Sequence, residues 1–294
     1  MRELTVTGVH DCAVASGLMR EAAGADRRRE RIVVEQDRVT GVRLKHYSNT
    51  ADIAYWTDLW KNAIDVSYGR ESRGHLPHQL RDTFRRWAEP GARTLEAGCG
   101  LGHFTVAARA LGYRAEGLDW SSETIDRLRQ RFASIPWHVG DARRLEFPND
   151  TFDAVYSPGV CEHFEEGPAA ILSETRRVLR PGGVAVVSTP CFNVWLQRNI
   201  VALKPDETTG IDDDRRAGAA FYQYSFTPDG MAALLSGLGF DVLQIRPYAA
   251  LHTLVRYRGW RVPARLNNVL AFAMDYVPLI RNWGSACIWV ARKR

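Results

Sequence analysis

Three glycines fall within five residues in the stretch TLEAGCGLGHFTV, which covers residues 94–106. They are Gly98, Gly100 and Gly102, and the acidic residue Glu96 precedes them at the end of an apolar run. Glycine costs conformational entropy wherever it stands, and a tight turn alone would need only one. Bare backbone lets a ligand approach the main chain closely. The spacing therefore predicts a ligand-binding loop.

A predicted strand precedes this loop and a predicted helix follows it. The segment ARTLEAG has the apolar character of a buried strand, and HFTVAARALG has the pattern of a helix that ends at Gly112. The loop is therefore expected at a helix N-terminus on the carboxyl edge of a sheet. Open α/β sheets bind their ligands at this edge.

The glycine spacing differs from that of dinucleotide-binding loops, which follow GxGxxG. Here the pattern is ExGxGxG, with the acid before the glycines and the last glycine one residue early. Two further acids follow predicted strands: Asp119 ends YRAEGLD, and Asp141 stands in the segment GDA after IPWHV.

Short apolar runs alternate with helical patterns from about residue 92 onwards. The predicted strands are ARTLEAG, YRAEGLD, IPWHVGD, FDAVYS, VAVVST, FDVLQI and ACIWVARK. Between them lie three further predicted helices: SSETIDRLRQRFA, with Ser121 as its N-cap, PAAILSETRRVLRPGG, ended by its Pro-Gly-Gly, and TPDGMAALLSGLG. In the second of these, five residues share one face, namely Ile171, Leu172, Thr175, Val178 and Leu179. Strands separated by helices predict a parallel sheet with right-handed crossovers.

Four segments lie outside this alternation. Residues 1–50 are predicted to be an N-terminal extension in which RIVVEQDRVTGVRLKHY favours a hairpin, and residues 51–92 a helical cover. The core domain then spans 93–294. Its insertions at 190–226 and 247–284 are longer than ordinary connections, so they are expected to fold as a cap.

Composition narrows the classes of partner and location. The 294 residues carry a net charge of +5, which permits an anionic partner without identifying one. The arginine clusters favour solvated helix faces over nucleic-acid contacts. Five cysteines without a CxxC pair predict neither a zinc site nor a disulfide framework, and they favour the cytoplasm. No apolar run approaches the ~18 residues of a membrane span.

Taken together, these motifs resemble the class I S-adenosylmethionine-dependent methyltransferases. The resemblance rests on ExGxGxG, Asp119, GDA, FDAVYSPGVCEHF and RRVLRPGGVAVVSTP in this order, and it is strongest over residues 94–190. It implies S-adenosylmethionine as the cofactor. It also implies an α/β fold: a seven-stranded, Rossmann-like, doubly wound sheet whose last strand, ACIWVARK, is antiparallel and lies beside the fifth.

The resemblance assigns cofactor-binding roles along the predicted edge. Glu96 would orient the methionine ammonium, and Gly98 and Gly100 would pass beneath the methionine and ribose. Asp119 would accept hydrogen bonds from both ribose hydroxyls. Trp120 would pack on the adenine, although ordinary core packing is an alternative for this side chain.

Further roles fall at the ends of the third and fourth strands. Asp141 would accept a hydrogen bond from the adenine amino group, and the backbone of Ala142 would donate one. The end of the fourth strand, from Ser157 to Gly159, would lie along the cofactor.

The segment VCEHF places His163 just past the fourth strand, where the resembled family faces the transferred methyl. An unperturbed imidazole titrates near neutrality, so His163 is the candidate general base. The alternative is a structural histidine bonded to nearby backbone. Some related methyltransferases hold a divalent metal with an acid three residues before such a Glu-His pair. That position is Gly159 here, so no metal site is predicted.

Five side chains are candidates for the wall of an acceptor pocket. They are Trp56 and Trp60 in YWTDLW, His75 in GHLPH, and Tyr222 and Tyr224 in FYQYSF. Each has the alternative of plain core packing or surface exposure. The segment 255–284, rich in arginine and tryptophan, has three interpretations: contact with a membrane surface, admission of an amphipathic substrate, or a helix packed on the domain.

The sequence thus predicts a methyltransferase for a small-molecule acceptor: a natural product, a sugar or a lipid-like intermediate. O-methylation is the first expectation and N-methylation the second. The alternatives are a nucleic-acid or protein methyltransferase and a cofactor-binding scaffold without catalysis. Against base methylation, the chain reads SPGV after the fourth strand, where many base methyltransferases have an NPPY-type tetrapeptide.

Overall fold

The structure, a computed structural model, describes residues 31–48, 52–62, 68–200, 220–258 and 260–294. Its strands are β1 (Arg31–Asp37), β2 (Gly41–Ser48), β3 (Arg93–Ala97), β4 (Arg114–Asp119), β5 (Trp137–Val139), β6 (Phe152–Pro158), β7 (Leu179–Pro190), β8 (Ala220–Phe226), β9 (Phe240–Tyr248) and β10 (Ala286–Lys293). Its helices are α1 (Ile53–Asn62), α2 (His78–Trp87), α3 (His103–Ala110), α4 (Ser122–Arg131), α5 (Ala169–Val178), α6 (Val194–Ile200), α7 (Pro228–Gly237), α8 (Ala250–Arg258), α9 (Ala264–Tyr276) and α10 (Pro278–Arg281). Residues 1–30 of the predicted extension lie outside the described part.

Seven strands form the main sheet in the order β5-β4-β3-β6-β7-β10-β9. The pairs β3–β4, β3–β6, β4–β5 and β6–β7 are parallel. Strand β10 is antiparallel to both β7 and β9. The prediction of a seven-stranded sheet with an antiparallel last strand is therefore confirmed, and that strand lies beside β7, the fifth strand of the sheet along the chain.

Helices cover both faces of this sheet, and the pattern of β10 shows it. Cys287, Trp289 and Ala291 belong to one buried cluster, and the alternate residues Ile288 and Val290 belong to another. Because successive side chains of a strand point to opposite faces, both faces are packed against apolar layers. This explains why the core strands are continuous apolar runs rather than alternating ones.

The ends of two helices test the local predictions. The hydroxyl of Ser121 accepts a hydrogen bond from Thr124 N (3.3 Å), so the predicted N-cap of α4 is confirmed. The predicted extension of α5 to its Pro-Gly-Gly is wrong, because the helix ends at Val178. Leu179 instead pairs with Phe152, and β7 begins there.

A second sheet joins the N-terminal hairpin to the first insertion. Its order is β1-β2-β8, and all neighbours are antiparallel. The hairpin turn is held by Asp37 Oδ1, which accepts from Val39 N (2.9 Å) and Thr40 N (2.7 Å). A bridge between Cys191 and Phe226 places β8 next to the end of β7. This cap sheet therefore lies at the carboxyl edge of the main sheet.

The second insertion forms α8, α9 and α10, which begin directly after β9. Since β10 is antiparallel to both β7 and β9, strand β9 runs in the direction of β7. The three helices therefore start from the same carboxyl edge. Among the helices in the described ranges, none is long and apolar enough to cross a membrane.

The indole of Trp137 fixes the packing behind the glycine loop. A Cβ at Gly102 would lie 2.5 Å from its ring atom Cη2, and a Cβ at Gly117 in β4 would be closer still. We expect Gly117→Ala to lower the free energy of unfolding by ~1–3 kcal/mol, the cost of overpacking a core. Urea unfolding measures it.

Gly237 at the end of α7 supplies the matched control, because nothing lies within 4 Å of a Cβ built there. Gly237→Ala should leave stability unchanged or raise it by ~0.4–1 kcal/mol. Equal effects of the two substitutions would contradict the packing described for Trp137.

Candidate active site

A cleft opens to solvent at the carboxyl edge of β3, β4 and β6. Its lining residues are Trp56, Trp60, Gly98, Leu118, Asp119, Trp120, Gly140, Asp141, Ala142, Gly159, Val160, His163 and Phe164. Nine of the side chains or glycines predicted from the sequence thus meet in one cleft: Trp56, Trp60, Gly98, Asp119, Trp120, Asp141, Ala142, Gly159 and His163.

The glycine loop has no side chains because other side chains pack directly against its backbone. Gly98 (φ 82°) and Gly100 (φ 47°) have left-handed backbone conformations that favour glycine. A Cβ at Gly100 would lie 2.9 Å from ring atom Cζ2 of Trp60, and one at Gly98 would collide with the side chain of Val160. Any side chain at these positions would push away the cover of the cleft.

Asp119 ties the glycine loop to the next loop of the sheet. Its Oδ2 accepts a hydrogen bond from Gly100 N (2.9 Å), and its Oδ1 accepts one from Ser121 N (3.0 Å). Burial raises the pKa of this carboxyl even though these backbone bonds oppose the shift. Each carboxylate oxygen can accept more than one hydrogen bond, so Asp119 can also receive hydroxyl groups of a ligand in the cleft.

Glu96 lies at the end of β3 and is buried. Its Oε2 accepts hydrogen bonds from Thr105 N (2.9 Å) and Thr105 Oγ1 (2.5 Å). Burial raises the pKa of Glu96 to about 8, although the hydrogen bonds from Thr105 lower it, and the charge of Asp119 adds to the rise. The carboxyl is therefore mostly protonated at neutral pH, and a cation placed beside it would favour its ionised form.

Arg143 holds the carboxylate of Asp141 at the rim. Its Nε and Nη2 donate to Asp141 Oδ2 at 3.0 and 2.7 Å, and its backbone N donates to Oδ1 at 2.8 Å. Burial raises the pKa of Asp141, but the bonds from Arg143 outweigh it and leave the pKa below its usual value. The same guanidinium lies 4.6 Å from the ring centroid of Phe164 and donates to Glu166 (2.8 Å). Asp141 therefore presents an ionised, oriented carboxylate.

His163 follows β6 in a short 3-10 turn and lines the cleft. Its Nδ1 lies 2.9 Å from the carbonyl oxygen of Tyr222. Because a carbonyl oxygen can only accept, Nδ1 carries the proton, and the lone pair of the neutral ring is on Nε2. That nitrogen lies 4.0 Å from Glu162 Oε1. The ring meets Trp56 edge-on, with centroids 4.8 Å apart.

Helix α1 brings two tryptophans over the cleft. Trp56 and Trp60 stack with centroids 5.7 Å apart, and Trp60 lies against Gly100. Thr57 Oγ1 donates to Ser121 Oγ (3.0 Å), which fixes the helix to the start of α4. The predicted helical cover thus includes one aromatic wall of the cleft.

Three predicted site residues lie away from the cleft lining, each with a local reason. Ser157 is buried and its hydroxyl donates to the carbonyl of Ala97 (3.1 Å). His75 is exposed, and its Nδ1 bonds the carbonyl of Arg70 (3.0 Å). Tyr224 points to the cap sheet, where its hydroxyl donates to the carbonyl of Glu165 (2.9 Å).

Tyr222 and Gly100 lie outside the cleft lining, and they contact the lining residues His163 and Trp60 respectively. The carbonyl of Tyr222 holds His163, and its ring meets the imidazole at a centroid distance of 5.1 Å. Val160 and Phe164 line the cleft but were not predicted, because single apolar residues after a strand carry no distinctive signal. Arg143 follows Asp141 by two residues in GDAR, and this spacing was the signal that could have identified it as the partner of Asp141.

The comparisons with known proteins agree with this geometry. Residues 95–187 match the sequence model of a family described as methyltransferase domain. The chain is 38% identical over 102 residues to malonyl-acyl-carrier-protein O-methyltransferase of Serratia marcescens, across 35% of this chain and 40% of that protein. It is 32% identical over 162 residues to 2-methyl-6-phytyl-1,4-hydroquinone methyltransferase of Synechocystis, across 54% of this chain and 45% of that protein.

A solved complex between the Trm112 methyltransferase activator of Haloferax volcanii and a methyltransferase shows the same fold. The match has 20% identity and a TM-score of 0.52, and it covers 82% of this chain and 95% of that chain. The seven-stranded fold agrees with the match of residues 95–187 to a methyltransferase domain, and S-adenosylmethionine is the cofactor that the match and the relatives support. The chain spans about half the length of the curated relatives it matches.

The residues of the cleft fit this cofactor. Asp119 offers oriented carboxylate oxygens for ribose hydroxyls, and Trp120 offers an aromatic surface in the same cleft. Glu96 is buried outside the lining of the cleft and, with its raised pKa, is suited to become ionised beside an ammonium group. The glycines keep the backbone of the loop accessible. We assign these four features to cofactor binding as a proposal.

The carboxylate of Asp119 supplies the first test. We expect Asp119→Asn to weaken binding of S-adenosylhomocysteine by ~1.5–3 kcal/mol, the size of a lost bond to a charged acceptor. Isothermal titration calorimetry measures the affinity. Asp126→Asn on the exposed side of α4 is the control, and its affinity should match the wild type. Wild-type affinity in Asp119→Asn would place the ribose site elsewhere.

The raised pKa of Glu96 predicts that cofactor binding releases a proton. Below pH 8 the carboxyl is mostly protonated, and the ammonium of S-adenosylhomocysteine would lower its pKa and ionise it. At pH 7 the binding heat should therefore depend on the ionisation enthalpy of the buffer. The dependence should fade above pH 8 and be absent in Glu96→Gln. Buffer-independent heats of the wild type at pH 7 would exclude this role.

Proposed function

We propose that the protein transfers a methyl group from S-adenosylmethionine to a hydroxyl of a small-molecule acceptor, with His163 as the general base. The observation that carries the proposal is the hydrogen bond between His163 Nδ1 and the carbonyl of Tyr222 (2.9 Å). This bond leaves the basic nitrogen Nε2 on a ring that lines the cleft. One relative is itself an O-methyltransferase by name, which supports this type of acceptor.

The bound cofactor supplies a methyl group already activated on a sulfonium sulfur, so the protein needs no covalent intermediate. The acceptor oxygen gains the methyl group and loses its proton, and His163 Nε2 receives that proton. Glu162 Oε1 lies 4.0 Å from this nitrogen. The carbonyl of Tyr222 keeps the ring in one tautomer and one orientation.

The remaining contribution is positioning and exclusion of water. Trp56 and Trp60 form an apolar wall beside His163, and Phe164 also lines the cleft. Apolar walls of this kind suit an acceptor with a planar or alkyl part better than a sugar. Alignment of two reactants in such a cleft is itself a large source of rate enhancement.

Methyl-labelled cofactor tests the proposed function. We expect label from S-adenosylmethionine to enter the low-molecular-weight fraction of a metabolite extract when the protein is added. Label in the nucleic-acid or protein fraction instead would favour the alternative classes of methyltransferase. No transfer to any fraction, together with normal cofactor binding, would favour a scaffold without catalysis.

His163 supplies a sharper prediction once an acceptor is in hand. His163→Ala should slow turnover by ~10²–10⁴-fold, the usual contribution of a general base, and leave the affinity for S-adenosylhomocysteine nearly unchanged. His75→Ala, an exposed histidine outside the cleft lining, is the control and should retain wild-type turnover. Near-normal turnover of His163→Ala at normal thermal stability would exclude His163 as the base.

A further inference from the structure

The exposed large apolar side chains of the described residues are concentrated in one segment of the chain. Among described residues, ten of the fourteen large apolar side chains that are exposed lie between positions 255 and 283. We name the cap face by six of them: Leu266, Val269, Leu270, Phe272, Leu279 and Trp283. Scattered exposed apolar residues are normal, but a contiguous set marks a surface that is covered in function.

Helix α9 has its polarity reversed relative to an ordinary surface helix. Its acidic residue Asp275 is buried and accepts a hydrogen bond from Gln79 Nε2 (2.5 Å). Its apolar residues Val269 and Phe272 are 64% and 50% exposed. A surface helix normally buries its apolar stripe and exposes its polar one. This helix docks on the domain through a polar residue and presents apolar ones outwards.

The prominent side chains of the cap face are of the kinds that enter a lipid interface. Leu279 is 82% exposed, beyond the end of α9. The indoles of Trp260 and Trp283 and the ring of Tyr276 are also exposed. Tryptophan and tyrosine combine an apolar body with a polar edge and are enriched where water meets lipid.

The charge of residues 250–284 indicates which kind of partner surface they would contact. Residues 250–284 contain five arginines and one acidic residue, Asp275. Because Asp275 is buried, this segment exposes no acidic side chain, whereas Arg261 is exposed. A segment with four more basic than acidic residues and with protruding apolar and aromatic groups is complementary to anionic lipid headgroups over acyl chains. The same positive charge on both partners would oppose pairing with a second copy.

We propose that the cap face docks the protein on an anionic phospholipid bilayer. The contact is interfacial, with Leu279 and the face of α9 inserted among headgroups. The segment that carries the cap face leaves β9 and returns to β10 at the carboxyl edge of the sheet, the same edge at which the cleft opens. Docking would therefore bring that edge towards the lipid surface. The proposal does not depend on the identity of the methyl acceptor.

Vesicle sedimentation with the full chain tests the proposal. The protein should bind vesicles of phosphatidylcholine containing phosphatidylglycerol more tightly than vesicles of phosphatidylcholine alone, and added salt should weaken binding to the anionic vesicles. Leu279→Ser and Val269→Ser should each weaken this binding by about tenfold, the order expected for one large apolar side chain. Both residues are exposed, so circular dichroism and thermal melting should match the wild type.

Val39→Ser is the matched control, because Val39 is also exposed (56%) but lies in the hairpin turn between β1 and β2. It should bind vesicles like the wild type. The proposal is overturned if the wild type prefers neither lipid, or if Val39→Ser and Leu279→Ser lose binding equally. It is also overturned if the wild type ignores vesicles and forms a dimer that Leu279→Ser dissociates, since the cap face would then pair with a second copy.

Discussion

The buried carboxylate of Asp119 is the point on which the site depends. It accepts hydrogen bonds from Gly100 N after β3 and from Ser121 N at the start of α4, so two loops of adjacent strands share one side chain. A buried carboxylate costs free energy unless it is hydrogen-bonded, and these bonds fix its orientation. The fixed carboxylate in turn sets the path of the glycine loop against which Trp60 packs.

The cover over this edge comes from segments that are far apart in the chain. Helix α1 supplies Trp56, the turn after β6 supplies His163, and β8 supplies the carbonyl of Tyr222 that orients the imidazole. The orientation of His163 is therefore tied to the cap sheet, since β8 pairs with β2 of the N-terminal hairpin. In our proposal the edge of the main sheet binds the cofactor, and the added segments position the acceptor.

Local signals made the core predictable. Apolar runs, the glycine spacing and the capping hydroxyl of Ser121 act over a few residues, and the strand order followed from the family they resemble. Long-range pairing was not predictable: Leu44 pairs with Ser225 across the cap sheet, and no local pattern encodes that contact. For the same reason the sequence did not show that Tyr224, predicted at the acceptor pocket, would lie in the cap sheet outside the cleft lining. The guanidinium of Arg143 holds Asp141. Arg143 belongs to one of the arginine clusters that the sequence analysis interprets as solvated helix faces, so its role was not predicted.

We propose that S-adenosylmethionine binds in the cleft between the glycine loop and the tryptophans of α1. A crystal structure with S-adenosylhomocysteine bound is the decisive measurement. We expect the ribose hydroxyls within hydrogen-bond distance of Asp119 and the sulfur facing His163. Electron density for the ligand outside this cleft, or a ribose bonded to another carboxylate, would contradict it.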